Sequence, residues 1–141
     1  MSVYADSSFF VSFYLQDGHA AQVNQWMVSQ PSVFFTPFHR VELVHAVFQH
    51  VFRRLISRVE AQVVLTHFGD DCARRIWREV DVPAAQYERA VTLAERHVAT
   101  LGTRTLDTLH VAAALELGAT AFWSFDQRQT GLAQAAGLTT N

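Results

Sequence analysis

Residues 105–126 read TLDTLHVAAALELGATAFWSFD, and their pattern sets the fold class. Thr105 to Leu117 is apolar around most of a helical circumference, and Gly118 stands where a left-handed residue ends such a helix. Ala119 to Phe125 then reads as a strand, short and apolar, bounded by that glycine and by Asp126. Gln127 to Ala136 restores a helical pattern before Gly137. A buried helix feeding a buried strand, with a second helix behind it, is the building unit of an α/β domain.

The same alternation continues in both directions. Upstream, SVYA (2–5) reads as a strand and SSFFVSFYL (7–15) as a helix broken at Asp17-Gly18. His19 to Gln30 forms a second helix stopped by Pro31, and SVFFT (32–36) a short buried strand closed by Pro37. Residues 38–56 give the clearest amphipathic pattern. At about 100° per residue, Val41, Val44, His45, Phe48, Val51, Phe52 and Leu55 fall on one broad stripe. A further helix is expected over 57–67, then a turn at Gly69-Asp70-Asp71, then an ambiguous segment from Arg74 to Val80. Pro83 suits the first turn of a helix running to Thr100 and ended by Gly102. Leu138 to Thr140 can add an edge strand. The whole reads as one α/β domain over residues 1–141, with a mostly parallel sheet and more helix than strand.

Composition narrows the class. The chain has 141 residues, half of them hydrophobic and 17% charged, as in ordinary globular proteins. A single cysteine, Cys72, rules out an internal disulfide and suits a reducing compartment. The N-terminus lacks a basic segment followed by an apolar run, so no secretory signal is expected. No stretch approaches the roughly 18 apolar residues of a membrane helix. A cytoplasmic protein with no membrane association is the expectation. The net charge of −2 argues against a binder that holds nucleic acid by bulk charge alone. All 11 basic residues are arginine, and six of them (Arg53, Arg54, Arg58, Arg74, Arg75, Arg78) face only Glu60, Asp70 and Asp71 within residues 53–78. That local excess is either a solvated face or a surface for RNA or an acidic partner.

Four carboxylates stand out, each with a structural alternative. Asp6 ends the first strand and opens a helix, and Asp126 repeats that arrangement after AFWSF; either can be a helix N-cap. Asp107 lies in the first turn of its helix within about 40° of Val111 and Ala114. It therefore faces packed protein, where aspartate rarely sits without a partner or a metal. Glu42 lies about 60° from His45, at the edge of its apolar stripe, where Arg40 or Arg53 could pair with it. In open α/β sheets, ligands bind beyond the carboxyl ends of the strands. Asp6 and Asp126 occupy such ends, and Asp107 starts the helix that leads to the second of them. Two like charges about 4 Å apart repel by about 4 kcal/mol at an effective dielectric near 20, so a converged cluster needs shared protons or a divalent cation. An all-oxygen donor set prefers Mg²⁺ or Mn²⁺ to zinc. His45 and His110 each follow an acid by three residues, but both lie on apolar stripes and read as packed core histidines. Neither Ser7 nor Ser8 has the glycine-flanked elbow of a serine hydrolase, nothing supports Cys72 as a nucleophile, and no glycine-rich phosphate loop is present.

YADSSFF, VELVHAV, TLDTLHVAAALELG and FWSFDQRQTGLAQAAGL together resemble, in order, the four signature blocks of PIN-domain proteins, with the VapC-type toxins the most similar group. The resemblance spans essentially the whole chain, the segment 57–82 matching poorly. It implies a small αβα sandwich around a parallel sheet, an Mg²⁺- or Mn²⁺-dependent endoribonuclease activity, and a homodimer. It carries Asp6, Glu42, Asp107 and Asp126 into the acidic metal site, with Ser8 and Ser124 as supporting hydroxyls. It implies an RNA substrate and a cognate antitoxin that covers the acidic groove. Two other readings are a PIN-like domain that binds RNA or protein without cutting it, and a structure-specific DNA nuclease, for whose extra helical elements 141 residues leave little room.

Overall fold

The computed structural model describes all residues, 1–141. It is an α/β fold of five strands, β1 (Ser2–Ala5), β2 (Ser32–Phe35), β3 (Arg78–Glu79), β4 (Ala121–Trp123) and β5 (Thr139–Thr140), in the order β3-β2-β1-β4-β5. The chain divides into two compact units, Met1–Asp6 with Asp81–Asn141, and Ser7–Val80.

The first unit contains β1 (Ser2–Ala5), β4 (Ala121–Trp123) and β5 (Thr139–Thr140), together with α5 (Gln86–Leu93), α6 (Ala99–Leu101), α7 (Thr105–Glu116) and α8 (Gln127–Ala135). The strands pair in parallel, Val3 opposite Ala121 and Ala121 opposite Thr139. The ladder extends one step past β1, where Asp6 N–H donates to Trp123 O at 3.0 Å. Val3, Tyr4, Ala5 and Phe122 are fully buried, so both faces of β1 are covered, as expected for a parallel strand. Tyr4 stacks on Phe122 and its hydroxyl meets His110 Nδ1 at 2.8 Å. His110 is thus the core histidine its position suggested. Val111, Ala112, Ala113 and Ala114 are also buried, and α7 ends at Gly118, whose φ of +66° is costly for any residue with a Cβ. The helix expected from Pro83 to Thr100 begins three residues later, at Gln86, and one turn of it, Ala94–Val98, is π-helical.

The second unit holds β2 (Ser32–Phe35) and β3 (Arg78–Glu79), paired in parallel, with α1 (Ser7–Leu15), α2 (Ala20–Met27), α3 (Pro37–Phe52) and α4 (Arg58–Ala73). Its core is aromatic. Phe10 meets Phe35, His39 and Trp77 edge-on at centroid distances of 5.0–5.1 Å, and Phe35 meets Phe68 at 5.0 Å. Thr36 caps α3, with Pro37 in its first turn. Thr36 N–H donates to His39 Nδ1 at 3.0 Å, which places the ring hydrogen on Nε2.

Three expectations fail here. The face of α3 that packs is His39, Leu43 and Val47. On the expected stripe, Val41 is 66%, Phe48 40% and Phe52 87% exposed, and His45 is exposed rather than a core residue. The helix is apolar on two sides, so periodicity could not say which side faces inward. Gly69-Asp70-Asp71 is no turn but the interior of α4. Ser57 starts that helix by accepting from Glu60 N–H. Asp71 prolongs it, because it is buried and accepts the Tyr14 hydroxyl at 2.7 Å while Trp77 Nε1 donates to Tyr14 at 2.6 Å.

Candidate functional site

Three of the four expected carboxylates belong to the first unit, at the carboxyl ends of its strands and the start of α7. Asp6 follows β1 and is buried. Asp126 caps α8, its Oδ1 accepting from Arg128 N–H at 2.8 Å and Gln129 N–H at 3.1 Å. The capping reading of Asp126 is therefore correct, and it consumes only one of the two oxygens. Asp107 lies in the first turn of α7 with its side chain 18% exposed, and its Oδ2 accepts from Arg104 Nε at 3.1 Å.

Two buried polar side chains tie these acids together. Ser124, 3% exposed, stands one residue beyond β4. Its Oγ lies 3.1 Å from Asp6 Oδ2 and 2.7 Å from Gln129 Oε1, and it accepts Asp126 N–H at 3.0 Å. Gln129, fully buried, donates through Nε2 to the backbone carbonyl of Asp107 at 3.3 Å. One serine and one glutamine thus bond to all three acidic residues, on three separate elements. A hydroxyl has a single hydrogen, so Ser124 serves Gln129 or Asp6 at any moment, and the shorter distance favours Gln129. The Ser124 backbone is fixed from the other side, where Asn141 accepts its N–H at 3.0 Å and donates to its carbonyl at 3.1 Å.

Glu42 belongs to the second unit. It is half-buried on α3 and accepts the Ser7 hydroxyl at 2.5 Å. Ser8 lies half-buried in the first turn of α1. Sequence reasoning assigned Ser7 no part beyond an unsupported nucleophile, and it passed over Gln129, Asn141 and Arg104. Gln129 had left a trace: it follows Asp126 by three residues, the spacing of a capping box. Its side chain bonds to Ser124 and Asp107.

The donor chemistry fits a hard divalent cation. The acids offer only carboxylate oxygens, and Oδ2 of Asp126 and Oδ1 of Asp107 lie outside the bonds described. No three His, Cys, Asp or Glu side chains are gathered as a ready-made cage, so side-chain rotation has to complete any cation site.

A parallel α/β fold with acids at its strand ends defines a class, and comparison with known proteins narrows it. The PIN domain family profile matches residues 3–136, nearly the whole chain, and the protein belongs to that family. A search of curated proteins returns no match. Among solved structures, the fold is similar to VapBC2 from Rickettsia felis, bound to a DNA fragment from their promoter, with a TM-score of 0.69 at 12% identity, covering 100% of this chain and 98% of that one. It is similar to VapC20 of Mycobacterium tuberculosis, a sarcin–ricin-loop-cleaving toxin, with a TM-score of 0.67 at 20% identity over 97% and 96% of the two chains. FitAcB from Neisseria gonorrhoeae gives 0.68 at 17% identity over 98% and 95%. At such identities the likeness establishes the fold. No helix is long and apolar enough to cross a membrane.

Proposed function

We propose that the protein is a divalent-metal-dependent endoribonuclease, the toxin of a toxin–antitoxin pair acting in the cytoplasm. The observation that carries this reading is the single hydrogen-bond network in which Ser124 and Gln129 reach the Asp6 carboxylate, the Asp126 backbone N–H and the Asp107 backbone carbonyl. Buried polar networks of this kind need every member satisfied to be tolerated, and this one converges on three acids. Family membership and the sarcin–ricin-loop-cleaving toxin VapC20 among the structural neighbours support the same class.

In this reading Asp6, Asp107 and Asp126 hold one or two Mg²⁺ or Mn²⁺ ions. A cation there supplies Lewis acidity toward the phosphodiester and lowers the pKa of a coordinated water. The chain's own residues do the positioning. Ser124 sets its hydroxyl beside Asp6, the capped helix fixes Asp126, and Gln129 anchors the start of α7 and with it Asp107. Glu42 is proposed as the fourth acid because its hydroxyl partner, Ser7, is the residue joined to Asp6 in the chain. Ser8 is proposed as a supporting hydroxyl on position alone. The expected products are a 5′-phosphate and a 3′-hydroxyl.

The partners proposed are a second copy of the chain and an antitoxin segment. Support comes from α3, where Arg40, Val41, Val44, Phe48 and Phe52 line an open groove of about 610 Å³. Exposed apolar patches of this kind mark interaction surfaces. Light scattering of wild type and Phe52→Glu tests the first of these partners, a wild-type dimer that the substitution dissociates assigning the groove to a second copy.

The deciding experiment is calorimetric titration of wild type, Asp6→Asn and Asp107→Asn with Mg²⁺ and Mn²⁺, paired with cleavage of a structured RNA. Wild type should bind metal and cut, and both variants should stay folded and lose cleavage. Full activity in either variant would sink the assignment. A second reading, a PIN-like domain that binds RNA or protein without cutting, draws on the lack of a preassembled cage. It predicts RNA or protein binding and no cleavage with either metal.

A further inference from the structure

Arg104 occupies the N-cap position of α7 yet makes no capping bond. Serine, threonine, aspartate and asparagine are preferred there because a side-chain oxygen can accept the helix's unpaired N–H groups. Arginine offers donors only and puts positive charge at the positive end of the helix dipole. Neither capping nor the helix dipole therefore gives a reason for an arginine at this position. Its contact does. Arg104 Nε lies 3.1 Å from Asp107 Oδ2, and the arginine side chain is 80% exposed against 18% for its partner. Asp107, through its hydrogen bond and charge, raises the basicity of the guanidinium, and Asp126 adds to the effect from further off. Only Nε is engaged, so the two terminal nitrogens remain to grip another oxygen acceptor.

We infer that Arg104 is a substrate-gripping residue of the proposed nuclease site, one whose guanidinium exchanges between Asp107 and an RNA phosphate. The inference rests on the nuclease reading above. A divalent cation on Asp107 competes with the guanidinium for the same carboxylate. Once displaced, the fork is matched to phosphate, which arginine binds through two parallel N–H bonds. Arg104 thus opposes metal binding in the free protein and favours RNA binding in the loaded one. A residue that only shaped the helix start would show no such pair of opposite effects.

The test uses Arg104→Ala and Arg104→Lys in the full chain, with Mn²⁺ alone for calorimetry and a synthetic RNA hairpin for steady-state cleavage at saturating metal. Loss of an exposed ion pair of ordinary strength predicts Mn²⁺ binding about two- to fivefold tighter in Arg104→Ala. KM for the hairpin should rise at least about threefold through the lost phosphate contact, with kcat little changed. Arg104→Lys keeps the charge without the fork, so it should bind Mn²⁺ as wild type does and recover part of the KM loss. Weaker or unchanged Mn²⁺ binding in Arg104→Ala, or a lower kcat at unchanged KM, would overturn the inference and leave Arg104 as a structural strut. A wild type that neither binds Mn²⁺ nor cuts the hairpin would remove the nuclease reading itself, and this inference with it. An active wild type matched by Arg104→Ala refutes only the role of Arg104.

Discussion

Replacing Ser124 by alanine and Gln129 by leucine, singly and together, measures the bond that joins the polar network around the three acids. Ser124 Oγ has three partners, Gln129 Oε1 at 2.7 Å, Asp6 Oδ2 at 3.1 Å and Asp126 N–H at 3.0 Å, but its single hydrogen serves one acceptor at a time. Its removal therefore costs two hydrogen bonds rather than three. At about 1 kcal/mol net per bond, with a further penalty for stranding buried partners, Ser124→Ala should lose about 2–3 kcal/mol. Gln129→Leu loses the Ser124 bond and the Asp107 carbonyl bond and leaves that carbonyl without its donor. Leucine regains some apolar burial, and the net should again be about 2–3 kcal/mol. The double variant loses the shared 2.7 Å bond once, so the two costs should fall short of additive by about 1 kcal/mol. Urea unfolding of the four proteins measures each difference, provided the slope with denaturant is unchanged. Strict additivity would show that the two side chains are not coupled and would break the link drawn between the three acids. The metal titration adds a second readout. Gln129 touches only the carbonyl of Asp107, so weaker Mn²⁺ binding in Gln129→Leu would report a displaced α7 start rather than a lost ligand.

Four further outcomes follow from single contacts. Ser12 Oγ is buried with no hydrogen-bond partner, so Ser12→Ala should raise stability by about 1 kcal/mol in the same urea assay. Tyr14→Phe removes the hydroxyl that joins Trp77 Nε1 to buried Asp71, and should cost about 2–4 kcal/mol because one of the stranded groups is a carboxylate. Arg54 and Arg75 follow the ends of α3 and α4 with φ of +59° and +57°, where glycine is the usual residue; Arg54→Gly and Arg75→Gly should each stabilise by up to about 1 kcal/mol, read as an upward shift in midpoint temperature. Burial, with Glu79 nearby, pushes the Cys72 thiol up from 9.0 to about 11, so alkylation by iodoacetamide should be slow at pH 8 and quicken with each unit up to pH 11. Because the folded thiol keeps its proton where the unfolded one has lost it, the stability this group contributes is present in full below pH 9 and fades as pH rises toward 11.

What the sequence revealed, and what it withheld, follows from how far each signal reaches along the chain. Alternation of strand and helix is local, and it located β1, β2, β4 and all the long helices, because Pro31, Pro37, Gly102, Gly118 and Gly137 punctuate them. The inward face of α3 is not local. Val41, Phe48 and Phe52 are as apolar as Leu43 and Val47, and only the elements packed against α3 decide which set is buried. The same applies to Gly69-Asp70-Asp71. A glycine and two aspartates signal a turn, yet Tyr14, 57 residues from Asp71, gives that carboxylate a buried partner and the helix runs on. The aromatic core is likewise non-local: Phe9, Phe10, Phe13, Trp26, Phe35, Phe68 and Trp77, half of the chain's phenylalanines and tryptophans, come together from separate elements.

The positions of Asp6 and Asp126 were legible because strand-end aspartates are visible in sequence, whereas the groups bonded around them were not. Ser124 was carried by the family resemblance alone, and Gln129 looked like any polar residue on a surface helix. Its complete burial marks it as structural to the site, since a glutamine that gives up water must find partners for both ends of its amide. It finds them in Ser124 and in the Asp107 carbonyl. That choice of partners has a physical consequence for the chemistry proposed. Asp107 is fixed through its backbone, and Asp126 by two backbone N–H groups on one oxygen. One oxygen of Asp126 therefore stays outside the capping bonds, and one of Asp107 stays outside the Arg104 pair. Each of these two acids thus keeps one carboxylate oxygen outside the bonds that position it, which is the oxygen the proposed chemistry would turn toward a cation.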